Sequence, residues 1–172
     1  LLFLSTHSLA NEFKNGFSLD HASIPVEQIL QGGPPRDGIP AIDQPEFIHA
    51  KDATFLHGSD RVLGLHLNGI AKAYPIRILN WHEIVNDQFE QQAVVVSFCP
   101  LCGTGMAFDA MVNGKTHSFG VSGLLYESDV LLYDRETESL WSQIKTESVT
   151  GPFSGSKLTL LPALHTSWRN WQ

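Results

Sequence analysis

Sulfur is scarce in this chain: 172 residues hold two cysteines and two methionines. A disulfide framework of the kind that staples small secreted domains is therefore excluded, and one intrachain bridge is the most that can form. Cations are few as well. Eleven Lys and Arg stand against 18 Asp and Glu, for a net charge of -7, and no Lys/Arg run occurs. Nucleic acid is excluded as a partner, because neutralising phosphates needs clustered cations, and anionic membrane surfaces are disfavoured on the same grounds. No stretch reaches the roughly 20 apolar residues of a membrane span. Internal repeats and low-complexity segments are missing too.

The sequence opens Leu1-Leu2-Phe3-Leu4-Ser5-Thr6-His7-Ser8-Leu9-Ala10 without an initiator Met. Small residues at Ser8 and Ala10 are what a signal peptidase would need. Residues 1–10 are read as the remnant of an export signal and residues 11–172 as a single globular domain, placed outside the cytoplasm, periplasmic or secreted. The far end, Trp168-Arg169-Asn170-Trp171-Gln172, stops on two aromatics without a polar tail, and the expectation is a truncated C-terminus.

What the chain does have is an apolar fraction of 42%, enough for one sizeable core. Ser23 to Leu30, ended by Gly32-Gly33-Pro34-Pro35, predicts a helix of little more than one turn. Arg61 to Leu67, Asn68-Gly69 and Ile70 to Tyr74 form a strong hairpin signal, since Asn-Gly accepts the positive φ of a type I′ turn. Pro75 to Asp87 predicts a short helix with Pro at its first position. Ala93-Val94-Val95-Val96-Ser97-Phe98 is β-branched and predicts a strand buried on both faces, delivering Cys99 at its end. A second hairpin is expected from Met106–Val112 and Lys115–Gly120 around Asn113-Gly114, and a third from Leu124–Tyr133 and Leu140–Ile144 around residues 134–139. The predicted fold is mainly β (α+β), with antiparallel hairpins forming a compact sheet or barrel-like core and two or three short helices.

Chemistry concentrates in Cys99-Pro100-Leu101-Cys102-Gly103-Thr104. Two thiolates at C-x-x-C spacing can grip one metal ion, whereas a full site wants further ligands. His82, in Trp81-His82-Glu83, is the first candidate. His117 is the second. Met106 adds a thioether, and a Cys/Cys/His/Met set would suit soft copper, with zinc the other fitting ion; no organic cofactor is expected. Glu83, Tyr126, Asp129 and Trp141 are expected in supporting places around such a site. His82-Glu83 does not open a zinc-protease helix, because Asn86 stands where H-E-x-x-H needs its second His. Ser122-Gly123 lacks the G-x-S-x-G frame of a hydrolase nucleophile. Two other readings of the cysteines stay open: a structural disulfide in a non-catalytic binding module, and a thiol-disulfide oxidoreductase on a scaffold other than thioredoxin's. The latter follows because Gly103-Thr104-Gly105 predicts no helix after the motif to lower a thiol pKa. The partner would be an unidentified small molecule, metal ion or redox protein.

Several separated motifs occur in order: Gly32-Gly33-Pro34-Pro35 with Asp37-Gly38-Ile39-Pro40-Ala41, Ala73-Tyr74-Pro75, Trp81-His82-Glu83-Ile84-Val85-Asn86-Asp87, Cys99-Pro100-Leu101-Cys102-Gly103-Thr104, Phe119-Gly120-Val121-Ser122-Gly123-Leu124, and Tyr133-Asp134-Arg135-Glu136-Thr137 followed by Ser139-Leu140-Trp141-Ser142-Gln143. Together, from about Pro25 to Trp171, they resemble the bacterial and archaeal domain-of-unknown-function family 3179. The resemblance implies an exported or lipid-anchored protein and carries no activity with it.

Overall fold

A computed structural model describes residues 12–172; the stretch read as an export-signal remnant lies outside the described residues. Three antiparallel sheets stack in layers. The middle one has four strands in the order Leu160–Leu161, Thr104–Asp109, Gln92–Cys99, Ile84–Phe89. On one side lies a five-stranded sheet ordered Glu147–Ser148, Leu140–Ser142, Asp129–Asp134, Phe119–Tyr126, Ile29–Gln31. On the other lies a three-stranded sheet of Leu164–Ser167, Arg61–Leu67 and Ile70–Pro75. The sheets are open at both ends, so the core is compact without closing into a barrel.

The middle layer explains the unbroken apolar run. Side chains alternate across a strand. Val95 and Cys99 pack with Phe119, Val121, Val130, Leu132 and Trp141 of the five-stranded sheet, while Val94, Val96 and Phe98 pack with Leu63, Leu65, Tyr74 and Leu79. A strand covered twice has no polar face to show. A third cluster, with Phe17, Ile29, Leu131 and Tyr133, covers the outer face of the five-stranded sheet.

The hairpin at Asn68-Gly69 forms as expected, with both residues at positive φ (52° and 77°). Other elements differ from the sequence reading. The helix after Pro75 covers only Ile76–His82; Ile84 to Asp87 leave it to pair with Ser97 to Val94 in the middle sheet, where burial of Ile84 and Val85 outweighs one more helical turn. The reversal is made at Glu83, whose φ is +57° and whose carbonyl accepts a hydrogen bond from the Phe98 N–H at 2.7 Å. The helix expected near Ser23 is a 3-10 turn, Val26–Gln28, that runs into the edge strand Ile29–Gln31. Asn113-Gly114 turns only a small hairpin, Met111–Val112 with Lys115–Thr116. The segment from Leu124 to Tyr133 hides a turn of its own at Glu127-Ser128, both at positive φ, so that Phe119–Tyr126 pairs back on Asp129–Asp134. Among the described residues no helix is long and apolar enough to cross a membrane.

Candidate metal centre

Cys99 ends the central strand and is 1% exposed. The chain then reverses through Pro100 and Leu101 to return as Thr104–Asp109, with Thr104 opposite Cys99. Gly103, at φ +67°, donates its N–H to the Cys99 carbonyl at 2.8 Å, and this closes the turn. The reversal brings Cys102 Sγ back to 3.8 Å from the Cys99 carbonyl oxygen and leaves its residue exposed while Cys99 is buried. Both thiols are free.

The third donor comes from a different layer. Asp129 opens the strand after the Glu127-Ser128 turn and is 4% exposed. Its Oδ1 lies 3.8 Å from Cys102 Sγ. Its Oδ2 accepts from the Ile144 N–H at 3.0 Å and from Ser142 Oγ at 3.3 Å, so the carboxylate is aimed by the neighbouring strand. Ligand atoms of Cys99, Cys102 and Asp129 all lie within 4.8 Å of one another. For tetrahedral zinc with Zn–S near 2.3 Å and Zn–O near 2.1 Å, the S···O edge is about 3.6 Å, close to the separation between Cys102 and Asp129.

Burial dominates the electrostatics. It pushes the Cys99 thiol up to about 11, with the neighbouring Cys102 adding to the rise, and it raises the Asp129 carboxyl against the pull of the Ile144 and Ser142 hydrogen bonds. Two thiolates and a carboxylate crowded together are costly unless a cation joins them. A raised Cys99 is the reverse of the activated thiolate that disulfide exchange uses.

Gln143 braces the pair of strands joined by the cysteine turn. It is fully buried, and its Nε2 donates to Ser97 Oγ at 3.0 Å and to the Thr104 carbonyl at 3.4 Å, the residue paired with Cys99. Its Oε1 has no hydrogen-bond partner. In the sequence, its place at the end of the Trp141-Ser142-Gln143 run is the one signal that points to it.

The histidines go elsewhere. His82 ends the short helix, its Nδ1 2.8 Å from the Pro40 carbonyl oxygen. His117 faces Asp134 and Glu136. Neither joins the two thiols within 4.8 Å; Asp129, read from sequence as a supporting residue, stands where a histidine was expected. Met106 packs against the same core cluster as Cys99. Of the other supporting residues, Trp141 is fully buried and donates Nε1–H to Asp134 Oδ2 at 2.9 Å, Tyr126 lies in register with Asp129 at the hairpin end, and Glu83 makes the turn into the middle sheet. Ser122 is not a nucleophile: its hydroxyl donates to the Leu131 carbonyl and accepts from the Leu124 N–H at 3.0 Å, filling the register shift between Val121 and Leu124.

A family model described as "Protein of unknown function (DUF3179)" matches residues 36–172. The chain belongs to the DUF3179 family. No curated protein and no solved structure matches it. In this DUF3179 chain the matched region contains all three donors.

Proposed function

We propose that this DUF3179 protein is an extracytoplasmic metal-binding protein that holds one ion, zinc in preference to copper, between Cys99, Cys102 and Asp129, in a metal-handling role. The reading is carried by the convergence of those three ligand atoms within 4.8 Å. A carboxylate beside two thiolates shifts the preference away from the all-soft donor set that selects Cu(I) and toward zinc. Three protein ligands leave a fourth position, and Cys102 is the exposed corner of the set, so an incoming ligand or an exchanging partner has a way in. Gln143 fits the neighbourhood as a fixed amide beside the Cys99 turn. Export is supported by the signal-like character of residues 1–10.

The test is metal analysis of protein purified without chelator, alongside a free-thiol count. The expected result is bound zinc of which one equivalent disappears in Cys102→Ser and in Asp129→Asn, while His82→Ala and Met106→Leu retain it. Protein whose metal content is the same in wild type and Cys102→Ser refutes the reading. A Cys99–Cys102 disulfide in the purified protein also refutes it and supports a structural bridge or a redox cycle.

A further inference from the structure

His117 is 5% exposed, and neither of its ring nitrogens makes a hydrogen bond. An imidazole buried in this way should have a partner on at least one nitrogen. What faces it is a pair of carboxylates. Nδ1 lies 3.5 Å from Asp134 Oδ1 and 3.3 Å from Glu136 Oε2, and the ligand atoms of the three residues lie within 4.8 Å of one another. The ring is held edge-on against Phe153 with centroids 5.1 Å apart.

These separations are long for N–H···O hydrogen bonds, which cluster near 2.9 Å. They do match the edge of a coordination tetrahedron: with metal–nitrogen and metal–oxygen bonds near 2.05 Å, the ligand atoms stand about 3.3 Å apart. We infer that His117, Asp134 and Glu136 form a second divalent-cation site, of nitrogen and oxygen donors only, suited to zinc.

The carboxylates are prepared for that role. Asp134 is fully buried and is oriented by the Thr137 N–H at 2.7 Å and by Trp141 Nε1–H at 2.9 Å. Thr137 Oγ1 lies 2.8 Å from both Asp134 oxygens and from Ser139 Oγ, yet it has one proton to give. Directed to Oδ2 or to Ser139, it leaves Oδ1 a free lone pair on the His117 side. Glu136 is held by the Ser118 N–H, 3.1 Å from both carboxylate oxygens, and by the Ser118 hydroxyl, which donates to Oε1 at 3.0 Å. Such outer contacts are what ligating carboxylates have. Charge argues the same way. The adjacent Arg135 is turned outward to Asp43 at 2.8 Å, and among the described residues His117 is the only ionic partner of Asp134 and Glu136. A cation on Nδ1 would neutralise two carboxylates and leave only Nε2 unpaired. Glu136, His117, Thr116 and Ser118 line a cavity of about 390 Å³, so a fourth position would open onto water.

This site does not depend on the cysteine centre, and zinc titration of metal-stripped protein tells them apart. Wild type is expected to take two equivalents, Cys102→Ser one, Glu136→Gln one, and the double variant none. Uptake of one equivalent by wild type and by Cys102→Ser, but none by Glu136→Gln, supports this site while removing the cysteine reading. Cobalt(II) in Cys102→Ser should give ligand-field bands without a thiolate charge-transfer band. Glu136 is on an exposed loop, so the Gln variant should keep the apo melting temperature, and zinc should raise the melting temperature of Cys102→Ser but not of the double variant. Equal zinc uptake by wild type and Glu136→Gln overturns the proposal, as does a Cys102→Ser protein that takes up no zinc.

Discussion

Glu83 is the residue at which the helix stops and the middle sheet begins, and its carboxyl is only half in water. Burial alone pushes it from an ordinary 4.5 up to about 7. An acid whose pKa is raised by folding holds its proton more tightly in the native state. Below pH 4.5 both folded and unfolded chains are protonated there, and the group costs nothing. As pH rises through 4.5 toward 7 the unfolded chain ionises first and stability falls; above 7 the penalty is complete and constant. At ~1.4 kcal/mol for each tenfold, the gap between about 7 and 4.5 caps that penalty at about 3 kcal/mol. The partial exposure of the side chain lets solvent screen the charge, which lowers the expected value to about 1–2 kcal/mol. Glu83→Gln keeps shape and backbone and removes the charge. Melting followed by circular dichroism, with chelator present, should give equal midpoints at pH 4 and a variant more stable by about 2–8 °C at pH 8, using the usual ~2–4 °C per kcal/mol for a domain of this size. A variant that melts with wild type at both pH values, or lower at pH 8, would refute the argument.

Two packing predictions rest on other contacts. A Cβ at Gly64 would clash with the Trp171 ring, so Gly64→Ala should force Trp171 off the hairpin, cost about 1–3 kcal/mol and change the tryptophan emission; an unchanged spectrum and melting point would show that the ring does not dock there. Trp141→Phe removes the only indole donor to the buried Asp134, and urea denaturation should report a loss of about 1–3 kcal/mol, with no loss counting against a structural role for that hydrogen bond.

Where local chemistry dictates the backbone, the sequence was readable. Asn68-Gly69 announced its turn because few other pairs accept two positive φ values, and the β-branched run to Phe98 announced a doubly covered strand. Reversals made without glycine were not readable. Glu83, Glu127 and Ser128 all take positive φ, and their neighbours' burial, not their own preference, puts them there; so the sequence pattern predicts helix where Ile84 starts a strand, and it shows no turn before Asp129. The candidate site followed the same division. The two cysteines are local and visible, whereas Asp129 reaches Cys102 only because a third layer folds over the turn. Position in the chain suggests His117 as a thiol partner, but the short link between strands that carries it brings its ring to Asp134 and Glu136 instead.

The doubly covered middle sheet decides where solvent can reach its strands. Each face of that sheet packs into a core, so its strands meet water where they run out. Pro100 and Leu101 are such a place: both are exposed, Leu101 at 71%, while the flanking cysteines remain anchored by the turn. Those two side chains, with Cys102 beside them, are the part of the turn that solvent reaches, while Cys99 is held in the core.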